Sequence, residues 1–484
     1  MNTPARRLAT VVIAMFLALM GGATWVQFFQ APTLNNDNRN VRTLYREFGN
    51  ARGPIVVGGE SIASSTAVDD PFGYQRSYAN GALYAPVTGF YSIVFSRSGI
   101  EDAMNTELNG TADSLFYNRL QDLITGRQPQ GAIVELTIDP VIQQAAWDAL
   151  GDQRGAVVAL DPRTGAILAM VSKPSFDPNL LASHDTAAVN EAWAALNADE
   201  GDPMVNRAIA GTTYPPGSTF KLVTAAAALE AGMTPATQIA APDVLDLPQS
   251  SATLGNFGGS SCSPTGTATL LDALRISCNT AFGQLGMDLG ADALREQAEA
   301  FGFDTPLDVP LTVTESHFPD AEAIDAPQTA IAAIGQYDVR VTPLQMAMVS
   351  AAIANGGEQM APYLVAAVRS ADLTVVDQAA PSTLGRPVSA ATAAALRDMM
   401  VAVVASGTGT SAQISGVTVA GKTGTAQTTA DAAPHAWFTA FAPAENPTIA
   451  IAVIVENGGS AGSEATGGRV AAPVARAVIE AALR

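Results

Sequence analysis

Read for apolar and polar positions from the N-terminus, the chain opens on an uncharged run, Leu8 to Gln30, behind Arg6 and Arg7. Its apolar centre, Leu8 to Val26, is long enough to cross a bilayer as a helix at about 1.5 Å rise per residue. Trp25, Phe28 and Phe29 stand at the far end, where amphipathic rings favour the membrane interface. The two arginines favour an N-terminus held inside. Residues 1–7 therefore read as a cytoplasmic tail, 8–29 as a transmembrane anchor, and the remainder as exported. The competing reading is a cleaved signal peptide with Gly21-Gly22-Ala23 as its cleavage site, although the run is longer than a usual signal core.

Pro32 to Asn40 is polar and reads as a solvated stalk. Up to about 150, short apolar runs mix with Gly and Pro without a repeat. Within them Ala132-Ile-Val-Glu-Leu-Thr-Ile138 predicts a strand and Pro140 to Leu150 a helix. The apolar runs Ala156–Leu160 and Ala166–Val171 flank the turn Asp161-Pro-Arg-Thr-Gly165, which predicts a β-hairpin. Phe220 to Ala231 and Ala390 to Val404 are Ala-rich and helical in character. Val417–Ala420 reads as a strand, apolar runs follow at 435–441 and 448–456, and Pro473 to Arg484 reads as a last helix. Stretches 249–263 and 457–468 read as loops. Strands, then helices, then strands again predict an α/β (α+β) fold whose sheet closes late. A domain boundary is expected near 154, with residues 30–154 a separate N-terminal domain and 155–484 a second one.

Composition narrows the function classes. Hydrophobic residues make up 48% of the 484 and charged ones 14%, which excludes a disordered acidic chain. A net charge of −20 argues against a nucleic-acid partner, because phosphate binding needs a basic surface. The two cysteines, Cys262 and Cys278, form either a disulfide, as an exported chain permits, or two buried thiols. His184, His317 and His435 show no ligand spacing. His435 is expected on a strand near the cleft, Arg207 as partner to a carboxylate, and Trp437 and Phe438 in the core.

Three short motifs carry chemistry. In Pro216-Gly217-Ser218-Thr219-Phe220-Lys221, two prolines (215 and 216) disfavour helix before a helix-forming run, which puts Ser218 at a helix N-terminus. Lys221 then falls one turn later on the same face. A serine hydroxyl needs a base within hydrogen-bond reach, and a lysine serves when burial and a nearby cation lower its pKa. Alone, Ser218 reads equally as an N-cap. In Ser277-Cys278-Asn279 the outer residues alternate on a turn or strand, so that both face one cleft. Gly421-Lys422-Thr423-Gly424-Thr425 follows the 417–420 strand, supplies a second cation, and has glycines that admit a close backbone.

In this order the motifs resemble those of the penicillin-binding proteins and serine β-lactamases, which carry Ser-x-x-Lys, Ser-x-Asn and Lys-Thr-Gly around one acyl-transfer site. Asn206-Arg207-Ala208, Tyr214-Pro-Pro-Gly-Ser218, Val341-Thr-Pro-Leu-Gln345, Ala354-Asn-Gly-Gly357 and His435-Ala-Trp-Phe438 extend the likeness. Arg52-Gly53-Pro-Ile55 and Leu136-Thr-Ile-Asp139 resemble the pedestal of class B members, the actinobacterial penicillin-binding protein A type above all. The resemblance implies a transpeptidase fold, with helices around an antiparallel sheet, on an extended pedestal domain. It implies a D,D-transpeptidase acting on D-Ala-D-Ala stem peptides and acylated by β-lactams at Ser218, with no metal or cofactor. Lys221 would take the serine proton, Ser277 relay it, and Asn279 hold the substrate amide. Lys422, Thr423, Gly424 and Thr425 would bind the terminal carboxylate, and the N–H groups of Ser218 and Thr425 would form the oxyanion hole. A polytopic membrane glycan polymerase is the implied partner.

Two departures stand out: Cys278 inside Ser-x-Asn, and Tyr337 after Gln336, where many relatives have glycine. A Cys262–Cys278 bridge would tie the motif to the 250–263 segment. The alternatives are a D,D-carboxypeptidase, a serine β-lactamase (for which no deacylating Glu is evident), and a non-catalytic scaffold or β-lactam sensor.

Overall fold

The computed structural model describes residues 3–35, 48–116, 124, 130–307, 309–427 and 432–484. Thr3–Thr24 is one helix, continued by a π-helical turn over Trp25–Phe29. It is long and apolar enough to cross a membrane, and none of it is buried against the rest of the chain. Of the expected stalk, Ala31–Asn35 is a short helix, and residues 36–40 lie outside the described residues.

Five antiparallel strands form the larger sheet, in the spatial order Ala420–Ala426, His435–Ala442, Ile449–Val455, Gly155–Leu160, Ile167–Lys173. The hairpin expected around 161–165 is present, with Gly165 at φ +83°. The first strand of the sheet by sequence thus pairs with the last, and the sheet closes late, as the pattern predicted. Every residue of 435–442 and 449–455 is buried, because helices cover both faces. On one face lies Pro343–Ala354, started by the Thr342 cap and buried along nearly its whole length. Pro140–Leu150 and Ala472–Ala482 pack together on the other. This is the expected mixed α/β fold.

A second sheet of six strands belongs mostly to the N-terminal part. Its order is Val375–Gln378, Val365–Arg369, Ile133–Leu136, Ile55–Val57, Glu60–Ala67, Tyr74–Tyr78. Two of these strands come from well after residue 154, so the chain returns to complete the pedestal. Inside that sheet's surroundings Glu101 is fully buried between Arg52 Nε at 2.5 Å and Arg76 Nε at 2.6 Å, with Tyr78 Oη donating at 3.0 Å. Arg52 also lies 4.2 Å over the Tyr91 ring. A buried carboxylate is tolerated when its charge and lone pairs are matched in this way. Gln143 locks the two parts together: its amide donates to Leu83 O and Met170 O and accepts from Met170 N.

Candidate active site

The three motifs meet at one cleft of about 950 Å³, lined among others by Ser218, Ser277, Asn279, Thr423, Thr425 and Gln427. Each motif arrives on a different element. Ser218 sits in a one-turn 3-10 helix, Gly217–Thr219, and the α-helix proper begins at Lys221. The α-helix thus begins three residues after Ser218, because the left-handed backbone of Gly217, at φ +54°, cannot join a right-handed helix and a tighter turn comes first. Gly217 has φ +54°, and a Cβ there would stand 2.7 Å from Thr425 O. The missing side chain lets the serine turn press against the 420–426 strand. Trp437 fixes the same turn from below, its indole N–H donating to Pro215 O at 3.1 Å.

The Lys-Thr-Gly motif lies on the strand Ala420–Ala426 itself rather than after a strand at 417–420. Two glycines weaken the strand signal in the sequence, yet both are required by close contacts. A Cβ on Gly424 would meet Pro216 O and Trp437 Cβ at 2.9 Å, and one on Gly421 would meet Phe438 Cζ at 2.6 Å. Of the turn or strand expected to carry Ser277 and Asn279, the structure has a turn, and both residues line the cleft. Ser277 is in a turn at φ +61°, and Asn279 opens the helix Asn279–Leu289. The 249–263 stretch is not all loop, since Thr253–Gly255 is a short strand, and 457–464 forms 3-10 turns.

Lys221 and Lys422 are both fully buried. Lys221 Nζ donates to Ser277 O at 2.8 Å and Asn279 Oδ1 at 2.7 Å, with Ser277 Oγ further off at 3.4 Å. Lys422 Nζ donates to Ser277 Oγ at 2.9 Å and to Thr423 O at 2.8 Å. Burial, and then the neighbouring Lys422 charge, push Lys221 well below the ordinary lysine range. Burial alone lowers Lys422 to about 7. A neutral Lys221 has two N–H groups, which the two short acceptors use, and one lone pair left to take a proton.

Cys262 and Cys278 are joined in a disulfide, Cα–Cα 5.8 Å, which fastens the 256–262 loop to the Ser277–Asn279 turn. Tyr337 adopts φ +60°, a left-handed backbone that glycine takes most readily.

Arg207 pairs with Glu456 at 2.9 Å, as do Arg154 at 2.6 Å and Tyr214 Oη at 2.7 Å, so its role is structural. The Tyr214–Val341 bridge joins two of the sequence signatures side by side. His435 opens its strand and accepts from Asn457 N through Nδ1 at 3.0 Å; burial lowers its pKa. His184 and His317 pair with Asp70 and Asp304 away from the cleft. Trp437 and Phe438 are fully buried. The sequence reading missed the indole anchor of Trp437, which it placed simply in the core beside Phe438.

The family model described as penicillin binding protein transpeptidase domain matches residues 155–480, and that described as penicillin binding protein A dimerisation domain matches 52–134. The chain is 49% identical to peptidoglycan D,D-transpeptidase PbpA of Mycolicibacterium smegmatis over 493 residues, covering 100% of this chain and 99% of that protein. Its identity to the protein of the same name from Mycobacterium tuberculosis is 48% over 498 residues, with 100% and 99% covered. It is similar to the solved ceftriaxone acyl-enzyme complex of M. tuberculosis penicillin-binding protein A, with TM-score 0.88 and 47% identity over 91% of this chain and 100% of that one. For the penicillin G acyl-enzyme complex of the same protein the TM-score is 0.86 and the identity 48%, over 90% and 100%. With the cleft geometry, these likenesses bear out the resemblance drawn from the motifs: the chain belongs to the penicillin-binding protein transpeptidase family.

Proposed function

We propose that this chain is a peptidoglycan D,D-transpeptidase that cross-links stem peptides through a Ser218 acyl-enzyme and is blocked there by β-lactams. The observation that carries the reading is the meeting of two fully buried lysines on one hydroxyl, Ser277, in the cleft that Ser218 lines. Neutral Lys221 takes the Ser218 proton as Oγ attacks the carbonyl of the D-Ala-D-Ala bond. The oxyanion is received by the N–H groups of Ser218 and Thr425, a kind of contact worth about 3 kcal/mol per donor. The proton passes through Ser277, held between the two lysines, to the leaving D-alanine amine. Thr423 and Thr425, which line the cleft, hold the terminal carboxylate with the buried Lys422 charge behind them, and Asn279 holds the substrate amide. The amine of a second stem then attacks the ester and frees Ser218.

The names of the M. smegmatis and M. tuberculosis relatives and the acyl-enzyme complexes of the latter support this reading. In the same reading 1–7 is cytoplasmic, 8–29 the anchor, 30–154 an interaction pedestal and 155–484 the catalytic domain outside the membrane. A polytopic glycan polymerase is the partner that would supply the strands. The test is to give the full chain a donor peptide ending in D-Ala-D-Ala and an amine acceptor. Release of D-alanine with cross-linked product supports the proposal; release without product in excess amine means a carboxypeptidase.

A further inference from the structure

Asn256 reaches the cleft on an arm of its own. It follows the strand Thr253–Gly255, which pairs antiparallel with Val244–Asp246. The arm lies against the Asn279–Leu289 helix, where Gly283 leaves the space that Leu254 fills: a Cβ there would stand 2.5 Å from Leu254 Cδ2. At the end of the arm Asn256, nearly buried, turns its Oδ1 onto the N–H groups of Asn279 at 2.9 Å and Thr280 at 3.1 Å. The first N–H groups of a helix have no partner within it, and Cys278 offers no side-chain cap here. The cap is delivered instead from a remote part of the chain. The preceding residue takes hold of the Asn279 side chain, Gly255 O accepting from its Nδ2 at 3.2 Å. With the amide nitrogen so engaged, Oδ1 is left facing Lys221 at 2.7 Å.

We propose that Asn256 is a positioning residue: by capping the helix at Asn279 and Thr280 it fixes how Asn279 receives Lys221, and thereby the geometry of the base at Ser218. The proposal rests on the transpeptidase reading. Asn256 acts through Asn279 and Lys221 and needs no contact with reacting atoms. The Cys262–Cys278 disulfide fastens the same loop to the residue before Asn279, with Cys278 Sγ 3.7 Å from Asn256 Oδ1.

The experiment is stopped-flow acylation of the full chain, in detergent, by fluorescent penicillin. Its concentration dependence separates the acylation rate constant from the dissociation constant of the first complex. Asn256→Ala is expected to lower the rate constant by roughly 10- to 100-fold while the dissociation constant moves by less than about threefold. Asn256→Asp is expected to recover most of the rate, since its carboxylate keeps the acceptor at a helix N-terminus. A merely structural role would lower the burst amplitude, which counts folded sites, and leave the rate constant of those sites alone. Asn256→Ser, too short to span both N–H groups, serves as a second slow variant if the alanine form does not fold. A parent-like rate constant in Asn256→Ala or Asn256→Ser overturns the proposal, as does an Asn256→Asp no faster than they are. A parent chain that is never acylated overturns the transpeptidase reading and the proposal with it, a result plainly different from an acylated parent matched by its variants.

Discussion

Lys422 donates to the hydroxyl of Ser277 at 2.9 Å from a position with no solvent exposure. The contact places a second cation beside Lys221, which touches the same oxygen from the other side at 3.4 Å. Burial and then this cation hold Lys221 well below its ordinary value. Lys422→Met removes the cation, so Lys221 rises and the acid limb of acylation moves to higher pH. The maximal rate should also fall by roughly 100-fold, as the relay loses a donor. A pH series of fluorescent penicillin acylation checks both; an unmoved limb counts against the coupling.

Stability should follow the same lysine. Lys422 titrates at about 7 when folded, against about 10.4 when unfolded. Between these values the unfolded chain binds more protons, so stability rises with pH across that window. Below it both states are protonated and the burial penalty is fully present. Lys422→Met escapes the penalty, so its Tm relative to the parent is highest near about pH 6 and the difference shrinks toward about pH 10. A difference independent of pH would show that Lys422 keeps an ordinary pKa.

Gly217 tests how closely the serine turn must approach the neighbouring strand. Gly217→Ala places a Cβ at φ +54° and 2.7 Å from Thr425 O. We expect it to cost about 1–3 kcal/mol of stability and to lower acylation by roughly 100-fold, read by denaturant unfolding and by the same penicillin assay. A variant with parental rates would show that the turn has room to move.

Much of this site was legible in the sequence, but unevenly. The order of Ser218-x-x-Lys221, Ser277-x-Asn279 and Lys422-Thr-Gly implied one cleft through its resemblance to the penicillin-binding proteins, whereas each motif alone reads equally as a cap, a loop or a turn. Where the chain is locally driven, as at Pro140–Leu150 or the 155–173 hairpin, the pattern also placed the elements. It failed where partners are remote. Nothing near Val365–Arg369 announces that it will pair with Ile133–Leu136, since strand pairing is decided by distant partners. The strand at 420–426 was misplaced because Gly421 and Gly424 look like turn residues until Phe438, Trp437 and Pro216 are seen pressing on them.

Tyr337 offers a contrast between two substitutions at φ +60°. Tyr337→Gly relieves a left-handed backbone at the expense of chain entropy, so stability should stay within about 1 kcal/mol of the parent. Tyr337→Val, branched at Cβ, should lose about 1–2 kcal/mol. Equal losses in urea melts would mean that the tyrosine ring, rather than the backbone, matters there.

In the pedestal, burial pushes the Glu101 carboxyl up, but Arg76 and Arg52 outweigh it and leave it below the usual range. Its contribution to stability is therefore present above the unfolded carboxylate pKa and is lost as pH falls through the folded one. Glu101→Gln strands two buried guanidiniums and should cost about 3–5 kcal/mol, seen as a lower urea midpoint. A loss below about 1 kcal/mol would show that water reaches the arginines.

The nucleophile itself is settled by intact mass. The full chain is treated with penicillin G beside Ser218→Ala, and both are weighed after the free drug is removed. One adduct of the drug's mass per chain, persistent in the parent and missing from the folded variant, is the predicted result. An adduct that survives Ser218→Ala, or a folded parent that acquires none, would contradict it.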